Sequence, residues 1–339
     1  MNDRDHDAGK FLAKAGWPNA ATSVIAGDAS NRRYLRLRCG NDTAVLMDAP
    51  REKGEDVGPF MRIARYLADL GLSAPRILAS DEVHGFLLLE DLGDDLFGRV
   101  IHADPGKEER LYYAATDLLI HLHRHDPPSG LGVYTAELMA DLSALAFDWY
   151  LRTAKGPDMA ARENFISRFR PLLDRHASRT DVVILRDYHA ENLLWLPDRK
   201  GNARVGLLDF QDAMCGHGAY DLVSLLQDAR RDVPVSVESA MLAHFQDSGT
   251  VHPEAFEAAY HCLGVQRNLR IIGVFARLCL RDGKPHYVDL IPRVWSLLQR
   301  DLAHPSMISI APTVHDVLPE PTTEILNRLK SGCATVPTA

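Results

Sequence analysis

The sequence lacks any uninterrupted apolar run of the roughly 20 residues that a membrane-spanning helix needs, and its first residues are polar and acidic, unlike a secretory signal. It also lacks an excess of positive charge: 38 Lys and Arg against 46 Asp and Glu give a net charge of −8, which disfavours a nucleic-acid-binding surface. The cysteines number only five and show no paired metal-site spacing, which indicates reduced thiols. We therefore expect a cytoplasmic protein, monomeric, with no nucleic-acid or membrane partner.

Two apolar runs that each end in an aspartate are the most informative feature that is present. The run at 182–185 is followed by Arg186 and Asp187, with Asn192 five residues later, and the run at 205–208 ends at Asp209. Phosphoryl transfer from ATP uses such a set: one carboxylate accepts the proton of the attacking hydroxyl, while an amide oxygen and a second carboxylate hold Mg²⁺. Protein kinases space these groups as Arg-Asp-x-x-x-x-Asn and Asp-Phe-Gly, and this chain has Asp-Phe-Gln at the second place.

A simpler interpretation is that these residues only form turns. Asp and Asn often follow strands because their side chains bond to local backbone groups. This explains one such residue better than three at the ends of two buried strands taken to be adjacent, so the pattern favours chemistry.

The periodicity of apolar residues predicts an α+β, two-lobed protein-kinase-like fold. Residues 1–93 are expected to form a small strand-rich nucleotide-binding lobe with a hinge near 86–93, residues 94–330 a helical catalytic lobe that also binds the acceptor, and residues 331–339 a flexible tail. Strands are expected at 21–26, 32–38, 43–48, 76–79 and 86–90. Helices are expected at 60–70, from Pro105 to Leu122, and at 138–151, 164–176, 219–230, 254–280 and 288–302.

Several motifs give the chain a family resemblance over residues 10–305. They are Asp28–Tyr34, Val45–Pro50, Phe86–Gly93, Arg186–Leu194, Leu208–Ala213 and Gln266–Arg270. With them the chain resembles the aminoglycoside phosphotransferase and choline kinase superfamily, and within it the bacterial anomeric kinases of N-acetylmuramate and N-acetylglucosamine. The resemblance implies an ATP- and Mg²⁺-dependent kinase of an amino sugar that acts in cell-wall recycling.

By this resemblance Asp187 is the catalytic carboxylate, and Asn192 and Asp209 are the Mg²⁺ ligands. The turn at 27–31 matches the turn over the phosphates, but it has one glycine rather than several. The nucleotide contacts that the resemblance implies are Ser30, Asn31, Arg32 and Arg33 around this turn, and Glu90 and Leu92 in the hinge. The turn can also be interpreted as a capped hairpin with solvated arginines.

The chain departs from the superfamily at two places. The third strand usually carries a lysine for the α- and β-phosphates, whereas residues 45–48 here are Val-Leu-Met-Asp. Arg32, Arg33 or Lys53 would have to replace it, and the sequence does not choose between them. The histidine usually found two residues before the catalytic aspartate is Leu185.

Acceptor contacts are predicted in the helical lobe. Four polar residues within positions 266–270 interrupt an otherwise apolar helix, and we expect Gln266, Arg267 and Arg270 to bind substrate. An arginine there suits the lactyl carboxylate of N-acetylmuramate, because its fork matches a carboxylate. The further candidates for substrate contacts are His189, Glu191 and Asp212. The alternatives are a kinase of another small alcohol or an aminoglycoside, and a kinase-shaped binding protein without activity.

Overall fold

The structure is a computed structural model that describes residues 3–25, 31–248 and 253–336. Its strands are β1 (Ala21–Ile25), β2 (Arg33–Cys39), β3 (Asp42–Asp48), β4 (Ile77–Asp81), β5 (Phe86–Glu90), β6 (Val182–Ile184), β7 (Leu193–Trp195), β8 (Val205–Leu207) and β9 (Met214–Gly216).

In the described ranges, two of the helices precede β4, five lie between β5 and β6, and six follow β9. They are α1 (Asp3–Lys14), α2 (Gly58–Asp69), α3 (Phe97–Ala103), α4 (Glu108–Leu122), α5 (Ala136–Ser143), α6 (Arg152–Ala154), α7 (Met159–His176), α8 (Ala219–Leu226), α9 (Val235–Asp247), α10 (Pro253–Leu280), α11 (Ile291–Leu302), α12 (Ala311–Val317) and α13 (Thr323–Ser331). A π-helix spans Ala146–Leu151, and 3₁₀-helices span Arg51–Lys53, Pro105–Lys107, Gly201–Arg204, Pro285–Leu290 and Pro305–Met307.

The chain divides into two compact units. The first contains residues up to Leu118 together with Ala190–Ala213, and the second contains Leu119–His189 together with the residues from Met214 onward. These units do not follow the boundary predicted near residue 93, and the division into functional lobes stays a prediction.

The first unit is built on an antiparallel five-stranded sheet in the order β1-β2-β3-β5-β4. Because side chains alternate across a strand, each strand presents one set of residues to each face of the sheet. One face packs on α1, where Phe11 stacks on Phe86 with ring centroids 5.8 Å apart. The opposite face carries Tyr34 and Arg36 of β2, paired in register with Met47 and Val45 of β3.

The first unit also contains a short hairpin, in which β7 pairs with β8 and Leu193 lies opposite Leu207. In the second unit β6 pairs with β9 instead. The strands that precede Asp187 and Asp209 therefore pair with different partners and belong to separate sheets. Three-residue strands carry too little register information for the sequence to fix their partners.

The second unit is organised around α10, which packs against α5, α8 and α11. Two glycines of α10 permit close approach: a Cβ on Gly264 would overlap the buried Asp301 carboxylate, and one on Gly273 would overlap the backbone of Leu145 and Ala146. Glycine in a helix interior costs stability, and here that cost is offset because a carboxylate can lie directly against the helix at Gly264 and another backbone at Gly273.

The predicted elements are largely confirmed, including the long helix at 254–280 and the strand at 86–90. Residues 337–339 of the predicted tail lie outside the described residues. Of the rest of that tail, Ala334 and Val336 donate backbone hydrogen bonds to Cys279 and Leu280. In the described ranges we find no helix with both the length and the apolarity to span a membrane.

The packing at Gly273 gives a stability prediction. Gly273→Ala forces a Cβ into the backbone of the π-helical segment, so we expect the free energy of unfolding to fall by about 1–3 kcal/mol or more. The control is Gly9→Ala in α1, where an added Cβ meets nothing within 4 Å and alanine should raise stability by about 0.5–1 kcal/mol. Differential scanning calorimetry measures both, and equal melting temperatures for the two variants would contradict the assignment.

Candidate active site

The loop that carries Asp187 is held from helix α8. The carboxylate of Asp221, which has no exposed surface, accepts hydrogen bonds from the backbone N–H groups of Leu185 (2.6 Å) and Arg186 (2.8 Å). Arg186 has φ of +71°, in the left-handed region that a non-glycine residue rarely adopts. Two charge-assisted hydrogen bonds thus hold a strained residue immediately before the predicted catalytic aspartate.

Asp221 is a functional residue that the sequence did not assign. The N-cap of α8 is Gly218, which makes no side-chain cap. The signal that could have found it is an aspartate near the start of a helix whose other residues are almost all apolar.

The electrostatic surroundings of Asp187 favour its ionised form. Burial opposes ionisation, but nearby positive charges outweigh it and lower the pKa of Asp187 below its ordinary value. The largest contribution is that of Arg270, followed by those of His189, Arg267 and Arg186. At neutral pH Asp187 is therefore a carboxylate, the form that can accept a proton.

Two of the polar residues in α10, Gln266 and Asn268, are structural. Gln266 has no exposed surface and donates to the Met139 carbonyl (3.1 Å). Asn268, which is equally buried, donates to Gln227 (2.8 Å) and to Asp301 (3.1 Å). The predicted exposure of this group to a ligand is therefore wrong for Gln266 and Asn268, because their hydrogen-bonding groups are used inside the unit.

The two arginines of this group differ in exposure. Arg267 is 3% exposed and donates to Ser224 Oγ at 2.8 Å. Arg270 is half-buried and hydrogen-bonds Tyr220. Substrate contact by Arg270 or Arg267 stays a prediction, and the exposure favours Arg270.

His189 lies in the second unit beside an arginine that the sequence did not single out. The Arg230 Nη1 is 3.3 Å from His189 Nε2, and because a guanidinium only donates, Nε2 is the acceptor. Burial lowers the pKa of His189 to about 4, so its ring is neutral at pH 7. The backbone N–H of Arg230 donates to Asp228 at 2.8 Å, which fixes the start of this side chain.

In the first unit, Asn192 and Asp209 lie at one end of the β7–β8 hairpin. The pairing continues past the strands, because Leu208 donates its N–H to the Asn192 carbonyl (3.0 Å). Asp209 has φ of +56° and accepts a hydrogen bond from Gln211 (2.7 Å), while Phe210 is fully buried and stacks on Phe60 of α2. Amide and carboxylate oxygens are donors that suit Mg²⁺, so this donor pair fits the predicted ligand set.

The predicted phosphate turn is described only in part, since Ser30 lies outside the described residues. Asn31 donates its N–H to Glu55 (3.1 Å), and Arg32 forms an ion pair with the same carboxylate (2.7 Å). Arg33 instead lies on the α1 face of the sheet, where it donates to Asp48 at 2.6 Å. Nucleotide contacts by Asn31, Arg32 and Arg33 stay predictions. The Arg33 side chain is paired with Asp48 on the face that packs on α1.

The predicted hinge is held by ion pairs. Glu90 accepts from Arg199 (2.8 Å), and its own N–H donates to the Arg76 carbonyl (2.8 Å), so this N–H is already used within the sheet. Arg36 of β2 donates to both Asp91 (3.0 Å) and Asp94 (2.7 Å). A nucleotide contact at Leu92, which is half-buried, stays a prediction.

Two further predicted contacts have exposed side chains in the first unit. Glu191 approaches Gly98 so closely that a Cβ on Gly98 would overlap its carboxylate. Asp212 follows the buried Gln211. Their part in substrate binding stays a prediction.

Comparison with known proteins decides the family. Residues 21–257 match the model of the phosphotransferase enzyme family, which is most of the chain. The chain belongs to this family. It is a phosphotransferase with an alcohol group as acceptor, as the aspartate motifs predicted.

The phosphotransferase is similar to curated relatives over almost its whole length. It is 36% identical to the N-acetylmuramate/N-acetylglucosamine kinase of Caulobacter vibrioides, covering 91% of this chain and 95% of the relative. It is also 36% identical to the protein of that name from Pseudomonas aeruginosa, covering 86% and 88%.

Solved structures support the fold. The choline kinase LicA from Streptococcus pneumoniae aligns with a TM-score of 0.57 at 13% identity, covering 96% of this chain and 99% of that one. The ADP-bound aminoglycoside phosphotransferase APH(2″)-Ib aligns with a TM-score of 0.59 at 14% identity, covering 91% and 99%. The predicted α+β kinase-like fold is confirmed.

The charges around Asp187 predict a pH effect. Because Arg270 is the largest of the charges that lower the pKa of Asp187, Arg270→Met should raise that pKa. A proton acceptor must be ionised, so the loss of kcat on acidification should begin at higher pH in the variant than in the wild type. The control is Arg281→Met, where the arginine follows α10 and pairs with Asp282 (2.6 Å). An unchanged acid limb in Arg270→Met would contradict this electrostatic role.

Proposed function

We propose that this phosphotransferase transfers the γ-phosphate of ATP to the anomeric hydroxyl of N-acetylmuramate, N-acetylglucosamine or both, giving the sugar 1-phosphate in cell-wall recycling. The observation that carries the proposal is that four curated relatives with 31–36% identity, over 82–91% of this chain, all bear the name N-acetylmuramate/N-acetylglucosamine kinase.

In this proposal Asp187 accepts the proton of the attacking hydroxyl. Its lowered pKa supports that role, because the side chain is ready as a carboxylate at neutral pH. An anomeric hydroxyl belongs to a hemiacetal and is more acidic than an ordinary sugar alcohol, so a weakly basic carboxylate suits it. The replacement of the usual histidine by Leu185 fits the same reduced need for a strong base.

Asn192 and Asp209 are proposed to hold Mg²⁺, which when bound supplies positive charge to the phosphates. The proposal is supported by the position of these two oxygen-bearing side chains at one end of the β7–β8 hairpin. Mg²⁺ in such enzymes binds only one or two carboxylates of the protein, and phosphates and water complete its coordination. Asp209 is held in its left-handed conformation by the adjacent buried Phe210 and by Gln211.

Arginines near Asp187 support an acceptor that is not cationic. Arg186, Arg267 and Arg270 act on the Asp187 carboxylate, and Arg230 lies beside His189. We propose that Arg270, the half-buried member, contacts the lactyl carboxylate of N-acetylmuramate. The alternative of an aminoglycoside acceptor is disfavoured, because a polycation would meet these charges.

We further propose that the protein is cytoplasmic and monomeric. Reduced thiols support the first part: all five cysteines are described, and none forms a disulfide. The net charge of −8 supports the absence of a nucleic-acid partner.

The test is a screen for ADP release with Mg²⁺·ATP across N-acetylmuramate, N-acetylglucosamine, choline and aminoglycosides, with the product identified by phosphorus NMR. We expect a sugar 1-phosphate from at least one of the two N-acetyl sugars. The 1-O-methyl glycoside of that sugar is the matched control and should be inert, because it lacks the anomeric hydroxyl. Phosphate on C6, or turnover of the glycoside, would contradict the anomeric assignment.

A further inference from the structure

Helix α11 places one carboxylate inside the second unit. Asp301 has no exposed surface, and its carboxylate lies directly against α10 at Gly264, where a Cβ would overlap it. Because burying an unpaired charge is costly, such a carboxylate needs several hydrogen-bond donors. The structure supplies three of them, from His261 and Asn268 of α10 and from Gln227, the residue after α8.

Asp301, Gln227 and Asn268 form a closed triangle of hydrogen bonds, and all three are fully buried. Gln227 Nε2 donates to Asp301 Oδ1 (3.0 Å), and Asn268 Nδ2 donates to Asp301 Oδ2 (3.1 Å). Asn268 Nδ2 also donates to Gln227 Oε1 (2.8 Å). His261 Nδ1 lies 2.9 Å from Asp301 Oδ1 and is a donor, because an ionised carboxylate only accepts. Both ends of the Gln227 amide are therefore fixed.

Gln227 connects this triangle to the helix that holds the Asp187 loop. It is the C-terminal cap residue of α8. Two other residues of the same helix, Asp221 and Ser224, hydrogen-bond the backbone N–H and carbonyl of Arg186. Since α8 has eight residues and is about 12 Å long, the anchor at its end sets the position of these contacts.

The residues after Gln227 lead to His189, a predicted acceptor contact. Asp228 is buried and accepts the N–H of Arg230 (2.8 Å), and Arg230 Nη1 lies 3.3 Å from His189 Nε2. The Gln227 carbonyl lies 3.5 Å from Nη1 of Arg267, an arginine whose charge acts on the proposed proton acceptor. Two groups near the site thus depend on where Gln227 is held.

We propose that Asp301 is a positioning residue for phosphotransfer, which acts through Gln227 on the end of α8 and on the segment 228–230 beside His189. The inference deepens the proposed function and rests on it only for the identity of the acceptor. Asp301 determines geometry and does not itself move a proton. A displacement of about 1 Å at a reacting group lowers a rate by about 10²-fold, so an anchor at this distance matters for turnover.

Asp301→Asn keeps the size of the side chain but leaves the triangle without a consistent set of hydrogen bonds. With three amides, one pair of like atoms remains in every combination of side-chain flips, because Asn268 uses one atom for both of its contacts. Gln227→Glu instead brings two carboxylates together. The double variant again has one carboxylate and two amides, so every bond of the triangle is made, and His261 accepts in its other tautomer.

The test is a double-mutant cycle of Asp301→Asn and Gln227→Glu on the full chain. The acceptor kcat/KM per folded molecule, the ATP dissociation constant and the melting temperature are measured for each variant. We expect kcat/KM for the acceptor to fall by about 10–100-fold in each single variant and to return in the double variant. ATP affinity should stay at the wild-type value throughout.

Glu238→Gln is the matched control. Glu238 is another buried carboxylate of the second unit, and it accepts from Arg300 (2.7 Å) and Tyr260 (2.8 Å), neither of which belongs to the triangle. This variant should lower the melting temperature and keep the wild-type kcat/KM. Asn268→Ala takes the place of Asp301→Asn if the latter does not fold. It removes two bonds of the triangle without bringing like atoms together, and a smaller fall in kcat/KM is expected.

The outcomes separate this inference from the proposed function. If the wild type phosphorylates neither N-acetyl sugar, the proposed function is wrong, and the cycle is run with the alcohol that the screen identifies. If the single variants lose stability but keep the wild-type kcat/KM for the acceptor, Asp301 is only structural and the inference is overturned. A loss of kcat/KM that the double variant does not restore, or an equal loss in Glu238→Gln, would also overturn it.

Discussion

The second unit's chemistry depends on one buried carboxylate. Asp221 accepts the N–H groups of Leu185 and Arg186, and Ser224, one turn later on α8, donates its hydroxyl to the Arg186 carbonyl at 3.2 Å. Burial raises the pKa of Asp221 to about 7, while the two backbone donors favour its charged form. Hydrogen bonds from α8 thereby fix both the N–H and the carbonyl of Arg186. They stabilise its left-handed backbone conformation, which sets the direction of the next residue, Asp187.

The same helix connects the loop to α10. Ser224 also accepts a hydrogen bond from Arg267 (2.8 Å), so Arg267 reaches the Arg186 carbonyl through one hydroxyl. This explains a fully buried arginine in a helix interior: its charge lowers the pKa of Asp187 and its donors hold the residue that supports the loop. In the first unit, Asp209 likewise has a left-handed backbone conformation, and the buried Phe210 follows it.

The sequence predicted the elements and the chemical motif well, because both depend on local information. Asp187, Asn192 and Asp209 stand at the ends of short strands, as their spacing indicated. The side to which a residue points was harder to predict. Arg32 and Arg33 are neighbours in sequence, yet Arg33 faces α1, and no local pattern tells which face of β2 a distant helix covers.

Long-range partners explain the remaining differences. The polar group in α10 looked exposed, but Gln266 bonds Met139 and Asn268 bonds Gln227 and Asp301, which come from distant parts of the chain. Asp221 was missed for the same reason, since its partner Leu185 lies 36 residues away. A single sequence shows that a polar residue is unusual, but it does not show which distant group satisfies it.

The central claim is that this loop presents Asp187 as the proton acceptor of phosphoryl transfer. The most direct measurement is kcat for the sugar together with the ATP dissociation constant in Asp187→Asn, with Asp181→Asn, an exposed aspartate before β6, as the control. The account predicts that kcat falls by about 10²–10⁴-fold in Asp187→Asn, with ATP binding nearly unchanged and the control near wild type. Turnover close to wild type in Asp187→Asn would contradict it.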